Sequence, residues 1–198
     1  MESVGDVVRG CKRYCEEVIV VDDCSSDNTK VVSEQAGGTV IRNNTRLGLV
    51  KSMVRGFEVA SGDIIVTLDA DGQHNPSEIE DLVQPIIDGE ADLVLGRRTC
   101  KPPFSERVIS EVVNLRVKCF DVGSGFRAVS LGVARKMRLW GACPCGSFVL
   151  EAYECGARVT EVPICIQSRK YGKSHWSAIS RGLTHTKQLM MLIQHMLL

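Results

Sequence analysis

Short apolar runs alternate along the chain with longer segments in which apolar residues recur every three or four positions. Such runs are typical of strands buried on both faces of a parallel sheet, and such segments predict amphipathic helices. We predict strands over residues 18–21, 39–42, 64–68, 91–95, 126–129 and 158–167. We predict helices over residues 3–15, 30–36, 48–60, 76–88, 105–119, 131–139 and 147–155. This order predicts a single α/β domain with right-handed crossovers and a mostly parallel sheet flanked by helices.

The strand over residues 64–68 is followed directly by two carboxylates, Asp69 and Asp71. If the chain is still extended there, side chains two residues apart leave the sheet on the same side. Gly72 then lets the backbone turn, and Pro76 suits the first turn of a helix. Two carboxylates at the carboxyl end of a strand predict a Mg²⁺ or Mn²⁺ site, at the edge where open α/β sheets bind ligands.

Two other kinds of Asp-rich site are disfavoured by the neighbouring residues. A calcium loop would follow a helix and would carry Gly at its sixth position, where His74 stands. A phosphoaspartate phosphatase would have Thr or Val two residues after the second Asp, where Gln73 stands. A solvated acidic turn without a ligand remains the alternative.

The composition is that of a soluble globular protein. The 198 residues suit one domain, with 44% hydrophobic and 24% charged residues. The net charge of zero gives no indication of nucleic-acid binding. We find neither an export-signal pattern at the N-terminus nor an apolar run long enough to cross a bilayer.

Nine cysteines are spaced irregularly, and Cys143 and Cys145 form the one close pair. A zinc knuckle would need two further ligands at matching spacing, and the sequence contains none. We therefore expect reduced thiols that pack as small apolar residues, and no structural zinc. We also expect His175, His185 and His195 to be incidental rather than ligands.

Two further predicted strands also end on polar residues, Asp22-Asp23 and Asn43-Asn44. The carboxyl ends of parallel strands meet at one edge of a sheet, so these polar residues and the acidic pair should lie close together there. Their convergence predicts a nucleotide site. An acid there could hold a ribose hydroxyl or a base edge. Capping of the following turn is the alternative role, and the two roles can coexist.

Five segments carry a family resemblance that spans almost the whole chain. They are Val-Val-Asp-Asp-Cys-Ser-Ser-Asp-Asn-Thr (20–29), Asn-Thr-Arg-Leu-Gly-Leu-Val-Lys-Ser (44–52), Leu-Asp-Ala-Asp-Gly-Gln-His-Asn-Pro (68–76), Ser-Gly-Phe-Arg-Ala (124–128), and Glu-Val-Pro-Ile with Ser-Arg-Lys-Tyr-Gly-Lys-Ser (161–174). In this order they resemble a family 2 glycosyltransferase with the GT-A fold, close to the dolichyl-phosphate mannosyltransferase branch. The resemblance implies a GT-A domain over residues 1–168 and a separate C-terminal loop and helix over residues 169–198.

The resemblance also implies an activity and a set of site residues. The activity is metal-dependent, inverting transfer of a sugar from a nucleotide sugar, GDP-mannose or a UDP-sugar, to a polyprenyl (dolichyl) phosphate. Asp69, Asp71 and Gln73 would surround the metal. Donor-binding residues would be Asp22, Asp23, Ser25, Asn44, Lys51, Asp69, Ala70 and Asp71. The residues in contact with the acceptor or its phosphate would be Arg107, Ser124, Arg127, Arg169 and Lys173. Arg127 and Asp121 would be catalytic, and Asp121 would act as the general base if the acceptor were a hydroxyl.

The resemblance also leaves gaps. The family opens with a central strand that ends in a Pro-Ala-Tyr-Asn-Glu-like segment, and Met1 follows just after that position. We expect its absence to interrupt the sheet and to leave backbone groups unpaired. A catalytically impaired nucleotide-sugar-binding or interaction module is therefore the alternative function. A nucleotidyltransferase is disfavoured because residues 1–17 lack a glycine-rich phosphate loop.

The C-terminal segment has its own charge pattern. Residues 167–198 contain five Lys or Arg and no Asp or Glu, and they end in an apolar run over 189–198. A basic helix with an apolar end is typical of segments that lie in a membrane interface. We therefore expect a cytoplasmic protein with peripheral contact to the cytoplasmic face of a membrane. A helix that packs on the core or binds a partner protein is the alternative.

Overall fold

The structure is a computed structural model that describes residues 2–168 and 178–197. The strands within these ranges are β1 Ile19–Asp22, β2 Thr39–Arg42, β3 Ile64–Thr67, β4 Leu93–Arg98, β5 Arg127–Ser130 and β6 Val159–Ile164. The helices are α1 Glu2–Cys11, α2 Thr29–Gln35, α3 Leu49–Val59, α4 Ile79–Ile87, α5 Phe104–Asn114, α6 Leu131–Ala134, α7 Ser147–Glu154 and α8 Ala178–Leu197, with a 3₁₀ turn at Pro76–Glu78. The predicted domain boundary at residue 168 stays a prediction, because residues 169–177 lie outside the described part of the chain.

The strands confirm the α/β class and form a two-stranded and a four-stranded sheet. β1 and β2 pair in parallel, and the larger sheet has the order β3-β5-β4-β6. β4 and β6 are parallel, whereas β5 runs antiparallel to both of its neighbours. The apolar pattern of β5 predicted a strand but could not predict its direction.

Between the described strands of the two sheets, no backbone pairing connects β1 to β3. Helix α1 packs against α2 on one side and against the Pro76–Glu78 turn on the other. Two glycines permit this close packing, since an added Cβ at Gly5 would lie 2.9 Å from Val32 Cγ1 and one at Gly10 would lie 2.8 Å from Pro76 Cγ.

The large sheet is covered by apolar side chains on both faces, which explains the nearly continuous apolar sequence of its strands. Leu93 and Leu95 of β4 face a cluster with Phe148 of α7, and α5 and α8 also contribute residues to that cluster. The intervening Val94 faces the opposite side, where it packs with Leu82 of α4. This alternation fixes β4 at the centre of the core.

Several helices are shorter than their apolar periodicity suggested. Helix α1 ends at Cys11, α5 at Asn114 and α6 at Ala134. Helix α4 contains Pro85 and ends two residues later at Ile87. The Pro85 carbonyl accepts hydrogen bonds from the backbone N–H groups of Glu90 and Ala91, which close the turn after the helix.

Truncation of Leu93 tests the position of β4. Because Leu93 is fully buried, Leu93→Ala is expected to lower the free energy of unfolding by about 2–5 kcal/mol, the range for large-to-small core changes. Urea unfolding followed by circular dichroism measures this change. Val31→Ala is the control, since Val31 is 48% exposed and should change stability by no more than about 0.5 kcal/mol. Equal losses for both variants would contradict this core.

Candidate active site

The carboxyl ends of β1 and β2 meet through the side chain of Asp23. Its carboxylate accepts hydrogen bonds from Asn43 Nδ2 at 2.7 Å, Leu47 N at 2.7 Å and Gly48 N at 2.9 Å. Desolvation raises the pKa of Asp23, but these hydrogen bonds outweigh it, and the pKa lies below its usual value. Asp23 therefore holds the loop between β2 and α3 against the end of β1.

Asp22 lies beside Asp23 but is buried. Its Oδ1 accepts a hydrogen bond from Ser25 N at 2.8 Å, and its Oδ2 lies 3.7 Å from Arg42 Nε. Oδ2 is buried and has no hydrogen-bond partner among the described residues. A buried acceptor in this state is costly unless a ligand donates to it, so Asp22 fits the predicted contact with a hydroxyl or a base N–H.

Two other predicted donor-binding residues lie near these strand ends. Asn44 is exposed, and its carbonyl accepts a weak hydrogen bond from Cys24 Sγ at 3.8 Å. Lys51 is exposed in the first turn of α3, the helix whose preceding loop Asp23 holds. The structure thus gathers Asp22, Asp23, Ser25 and Asn44 at one end of the small sheet.

The acidic pair lies just beyond the end of β3. The Asp69 side chain is 57% exposed, and its Oδ2 is 3.8 Å from His74 Nε2. Asp71 Oδ1 accepts a hydrogen bond from Gln73 N at 3.0 Å, which closes a turn around Gly72 with its positive φ of 76°. Two neighbouring carboxylates, one of them largely open to solvent, are the ligands that Mg²⁺ and Mn²⁺ prefer, so the residues fit the predicted metal.

The loop that precedes β5 lies directly against Asp69. Thr67 Oγ1 donates a hydrogen bond to the Gly125 carbonyl at 2.9 Å. A Cβ at Gly125 would lie only 2.7 Å from Asp69 Oδ2. Glycine is therefore required here for the loop to approach the carboxylate so closely.

Gln73 connects the acidic pair to the end of the segment that follows β6. Gln167 N donates to the Gln73 carbonyl at 2.8 Å, and Gln73 Nε2 donates to the Gln167 carbonyl at 3.3 Å. In this arrangement the Gln73 amide acts as a positioning group for Gln167. The predicted phosphate contacts Arg169 and Lys173 follow Gln167 in the chain and lie outside the described residues.

Arg127 is one of the most buried side chains of the protein, with an exposed fraction of 1%. Its Nε and Nη2 donate to the carbonyls of Ser124 at 2.7 Å and Val122 at 3.1 Å, and its guanidinium lies over the Phe148 ring at 4.7 Å. Burial lowers its pKa, although the nearby Asp69 carboxylate acts in the opposite direction. Arg127 therefore holds the loop beside Asp69.

This burial changes the interpretation of two predicted acceptor contacts. Neither Arg127 nor Ser124, which is 2% exposed, presents surface to a phosphate in this structure. The Ser124 hydroxyl instead accepts a hydrogen bond from Phe126 N at 3.3 Å. Both are positioning residues here, whereas Arg107 of α5 is exposed and keeps the predicted role.

The arrangement of Asp121 argues against the predicted general base. Its carboxylate accepts hydrogen bonds from Arg98 N at 3.0 Å, Nε at 2.7 Å and Nη2 at 2.6 Å. Burial raises the pKa of Asp121, but the contacts with Arg98 outweigh burial and leave the pKa below its usual value. A carboxylate that is 2% exposed and bound on both oxygens is a poor proton acceptor.

Sequence reasoning missed the partners that surround Asp121. Arg98 also pairs with Glu106 of α5 at 2.6 Å, and Glu161 of β6 accepts hydrogen bonds from the backbone N–H groups of Phe120 and Asp121. The sequence indicated a charged group near this site only through Arg97-Arg98, which stand at the end of a predicted strand. Its carboxylate partners are distant in the sequence, so the pattern could not identify them.

Comparisons with known proteins agree with this architecture. The model of Glycosyl transferase family 2 matches residues 2–108. A dolichol-phosphate mannosyltransferase of Pyrococcus furiosus is 33% identical over 88% of this chain and 55% of its own length. A polyprenol monophosphomannose synthase of Mycolicibacterium smegmatis is 29% identical over 88% of this chain and 74% of its own length.

A solved structure with a similar fold is the glucosyl-3-phosphoglycerate synthase of Mycobacterium tuberculosis in complex with Mn²⁺ and UDP-glucose. It superposes with a TM-score of 0.77 at 18% identity, over 97% of this chain and 73% of that chain. At this identity the likeness shows the fold alone. The chain spans little more than half the length of the Pyrococcus furiosus relative and about three quarters of the other two proteins.

Asp121→Asn tests the buried ion pair. The variant removes one of the two carboxylates that Arg98 binds and leaves Glu106 as its partner, so we expect a loss of up to about 3–5 kcal/mol in the free energy of unfolding at neutral pH. Because folding lowers the pKa of Asp121, its contribution is fully present above the usual carboxyl range and is lost as the pH falls through the lowered pKa. Urea unfolding at several pH values should therefore show a weaker acid dependence for the variant.

Asp63→Asn is the matched control, since Asp63 is exposed and lies next to the first residue of β3. It should leave both the stability and its acid dependence close to those of the unchanged protein. If Asp121→Asn unfolds at the same urea concentration as this control, the ion pair does not stabilise the fold.

Proposed function

Because the chain belongs to glycosyl transferase family 2, we propose that it transfers a sugar, with inversion, from a nucleotide sugar to a polyprenyl phosphate. The observation that carries the proposal is the acidic pair, Asp69 and Asp71, at the end of β3. Gly125 packs against the Asp69 carboxylate, and the turn that contains Asp71 is hydrogen-bonded through Gln73 to Gln167. The names of the Pyrococcus furiosus and Mycolicibacterium smegmatis relatives support a polyprenol acceptor and a mannosyl donor. GDP-mannose is therefore the first donor to test, with a UDP-sugar as the second.

The metal of the proposed reaction is Mg²⁺ or Mn²⁺, held by Asp69 and Asp71. When bound, such a cation supplies Lewis-acid stabilisation of the negative charge on the departing nucleoside diphosphate. The Mn²⁺ in the structurally similar synthase supports Mn²⁺ as the ion for a first assay. Gln73 orders the turn that carries Asp71 and positions the chain at Gln167.

The donor's nucleoside would lie at the ends of β1 and β2. Asp22 Oδ2 would accept a hydrogen bond from a hydroxyl or a base N–H, which is supported by its burial without a hydrogen-bond partner among the described residues. Asp23 would act indirectly, because its carboxylate already binds the loop that leads into α3. Asn44 and Lys51 stand exposed at the border of this region.

The state of Asp121 supports a phosphate acceptor rather than a hydroxyl acceptor. A hydroxyl needs a general base to remove its proton, and the Asp121 carboxylate is occupied by Arg98. A lipid phosphate is already ionised and needs cations instead. The exposed Arg107 and the basic residues that follow Gln167 supply such cations.

Peripheral membrane contact would bring the protein to a lipid acceptor. Leu183, Met190 and Leu197 of α8 are spaced seven residues apart on one helix face and are 69%, 65% and 82% exposed. Lys187 is exposed on the same face, where it would approach anionic lipid headgroups on the cytoplasmic side. Among the described residues, none of the helices has the length and apolar character needed to cross a bilayer.

Substitution of the acidic pair tests the proposed transfer. Asp69→Asn and Asp71→Asn are each expected to reduce Mn²⁺-dependent mannosyl transfer to a polyprenyl phosphate by at least about 100-fold, the scale on which loss of electrostatic stabilisation acts. A radiolabelled GDP-mannose assay measures this transfer, and a chelator should abolish it until Mn²⁺ is restored. Asp63→Asn, an exposed change just before the same strand, should leave the rate unchanged.

Full activity in both acidic-pair variants would contradict the proposed site. The catalytically impaired module is tested in parallel by calorimetry with GDP and Mn²⁺. It predicts nucleotide binding without turnover for any donor and acceptor. Turnover in the unchanged protein would exclude it.

Vesicle binding tests the membrane face of α8. Combined substitution of Leu183, Met190 and Leu197 by Ser is expected to weaken co-sedimentation with phosphatidylserine vesicles by more than about 10-fold, which needs a loss of only about 1.4 kcal/mol. Ile87→Ser is the control, since Ile87 is 62% exposed on α4. Equal binding of the triple variant and the control would contradict membrane contact through α8.

A further inference from the structure

The loop before α7 and helix α8 bring together two thiols and an imidazole. The ligand atoms of Cys143, Cys145 and His185 all lie within 4.8 Å of one another, and Cys145 Sγ is 3.9 Å from His185 Nε2. We infer that these three residues form a binding site for Zn²⁺. The site is independent of the acidic pair and of the proposed transfer.

This inference differs from the sequence-based expectation for these residues. We expected no structural zinc because Cys143-Pro144-Cys145 has no second ligand pair at a knuckle spacing, and we expected His185 not to be a ligand. The fold supplies the third ligand from 40 residues further along the chain. Sequence spacing could not reveal it, because only the packing of α8 brings His185 to the loop.

The orientation of His185 fits a metal ligand. Its Nδ1 shares a hydrogen bond with Ser105 Oγ of α5 at 2.8 Å, so its Nε2 faces Cys145. Histidines that bind a metal through one ring nitrogen usually hydrogen-bond through the other, which fixes the ring orientation. Helix α5 therefore holds the imidazole in place.

The loop that carries the cysteines is also held in place. Gln188 lies one turn after His185 on α8, and its Oε1 accepts hydrogen bonds from Ala142 N at 2.8 Å and Cys143 N at 3.3 Å. Gly141, at a φ of 102°, makes room for this contact, because an added Cβ would collide with Gln188 Oε1. One helix thus supplies a ligand and also fixes the backbone that carries another.

Burial and charge favour a thiophilic cation at this site. Cys143 and His185 are buried, and Cys145 is half-buried. Two thiolates neutralise Zn²⁺, so an occupied site adds no net charge to this buried region. Two sulfurs and one nitrogen suit Zn²⁺ rather than Mg²⁺ or Mn²⁺, and the fourth tetrahedral position is left for water or another donor.

Zinc at this position would crosslink α8 to the loop before α7. Its ligands come from the loop before α7 and from α8, and Ser105 contributes from α5. A metal that binds the folded state and not the unfolded chain raises stability by mass action. The occupied site would therefore raise the thermal unfolding temperature.

Metal titration of the full chain under reducing conditions tests the site. We expect one Zn²⁺ per chain to survive dialysis. Co²⁺, used as the probe, should give the thiolate charge-transfer and visible bands of a tetrahedral complex, and Zn²⁺ should abolish them. Cys143→Ser, Cys145→Ser and His185→Gln should each weaken binding by more than about 10-fold. Ser105→Ala should weaken it by about 10- to 100-fold, as for loss of a group that orients a ligand.

Cys100→Ser is the matched control, because Cys100 is exposed and outside the cluster. This variant and Asp69→Asn should both keep the Co²⁺ bands and the Zn²⁺-dependent rise in unfolding temperature. Circular dichroism of each metal-free variant separates loss of a ligand from loss of the fold. Failure of the reduced, unchanged protein to retain Zn²⁺ would overturn the inference, and so would equal metal affinity in Cys143→Ser, Cys145→Ser and the Cys100→Ser control.

Discussion

The buried ion pair between Arg98 and Asp121 fixes the loop from which β5 starts. Arg98 stands at the end of β4 and donates three hydrogen bonds to Asp121, while Glu106 of α5 binds the same guanidinium. Removing these charges from water is costly, so the pairing holds only if β4, α5 and the loop keep their relative positions. The same loop continues to Gly125, which lies against Asp69. The position of the Asp69 carboxylate therefore depends on the Arg98–Asp121 ion pair, which holds the other end of the loop that contains Gly125.

The site is divided between two sheets that are not paired through the described strands. The small sheet carries Asp22 and Asp23, at the proposed nucleoside site, and the large sheet carries the acidic pair, at the proposed metal site. Helix α1 contacts elements on both sides through its close packing at Gly5 and Gly10. Among the described residues, side-chain packing of helices and not a hydrogen-bonded strand ladder therefore joins the two halves.

Local pattern was sufficient to predict much of this arrangement. The apolar run before Asp69 identified β3, and the parallel pairing of β1 with β2 explains why Asn43 meets Asp23. The direction of β5 and the burial of Arg127 were not predictable, because both depend on partners far apart in the sequence. Arginine side chains are normally exposed, whereas here the carbonyls of Val122 and Ser124 and the ring of Phe148 stabilise the buried guanidinium.

The paired hydrogen bonds between Gln73 and Gln167 have a mechanical consequence. The chain passes from Gln167 through residues 168–177 into α8. Any shift of the turn at Gly72 must carry Gln167 with it or break both bonds. A cation or donor that displaced this turn would therefore also displace the end of the segment that follows β6, on the opposite side of the acidic pair from β3 in sequence but joined to it by two hydrogen bonds.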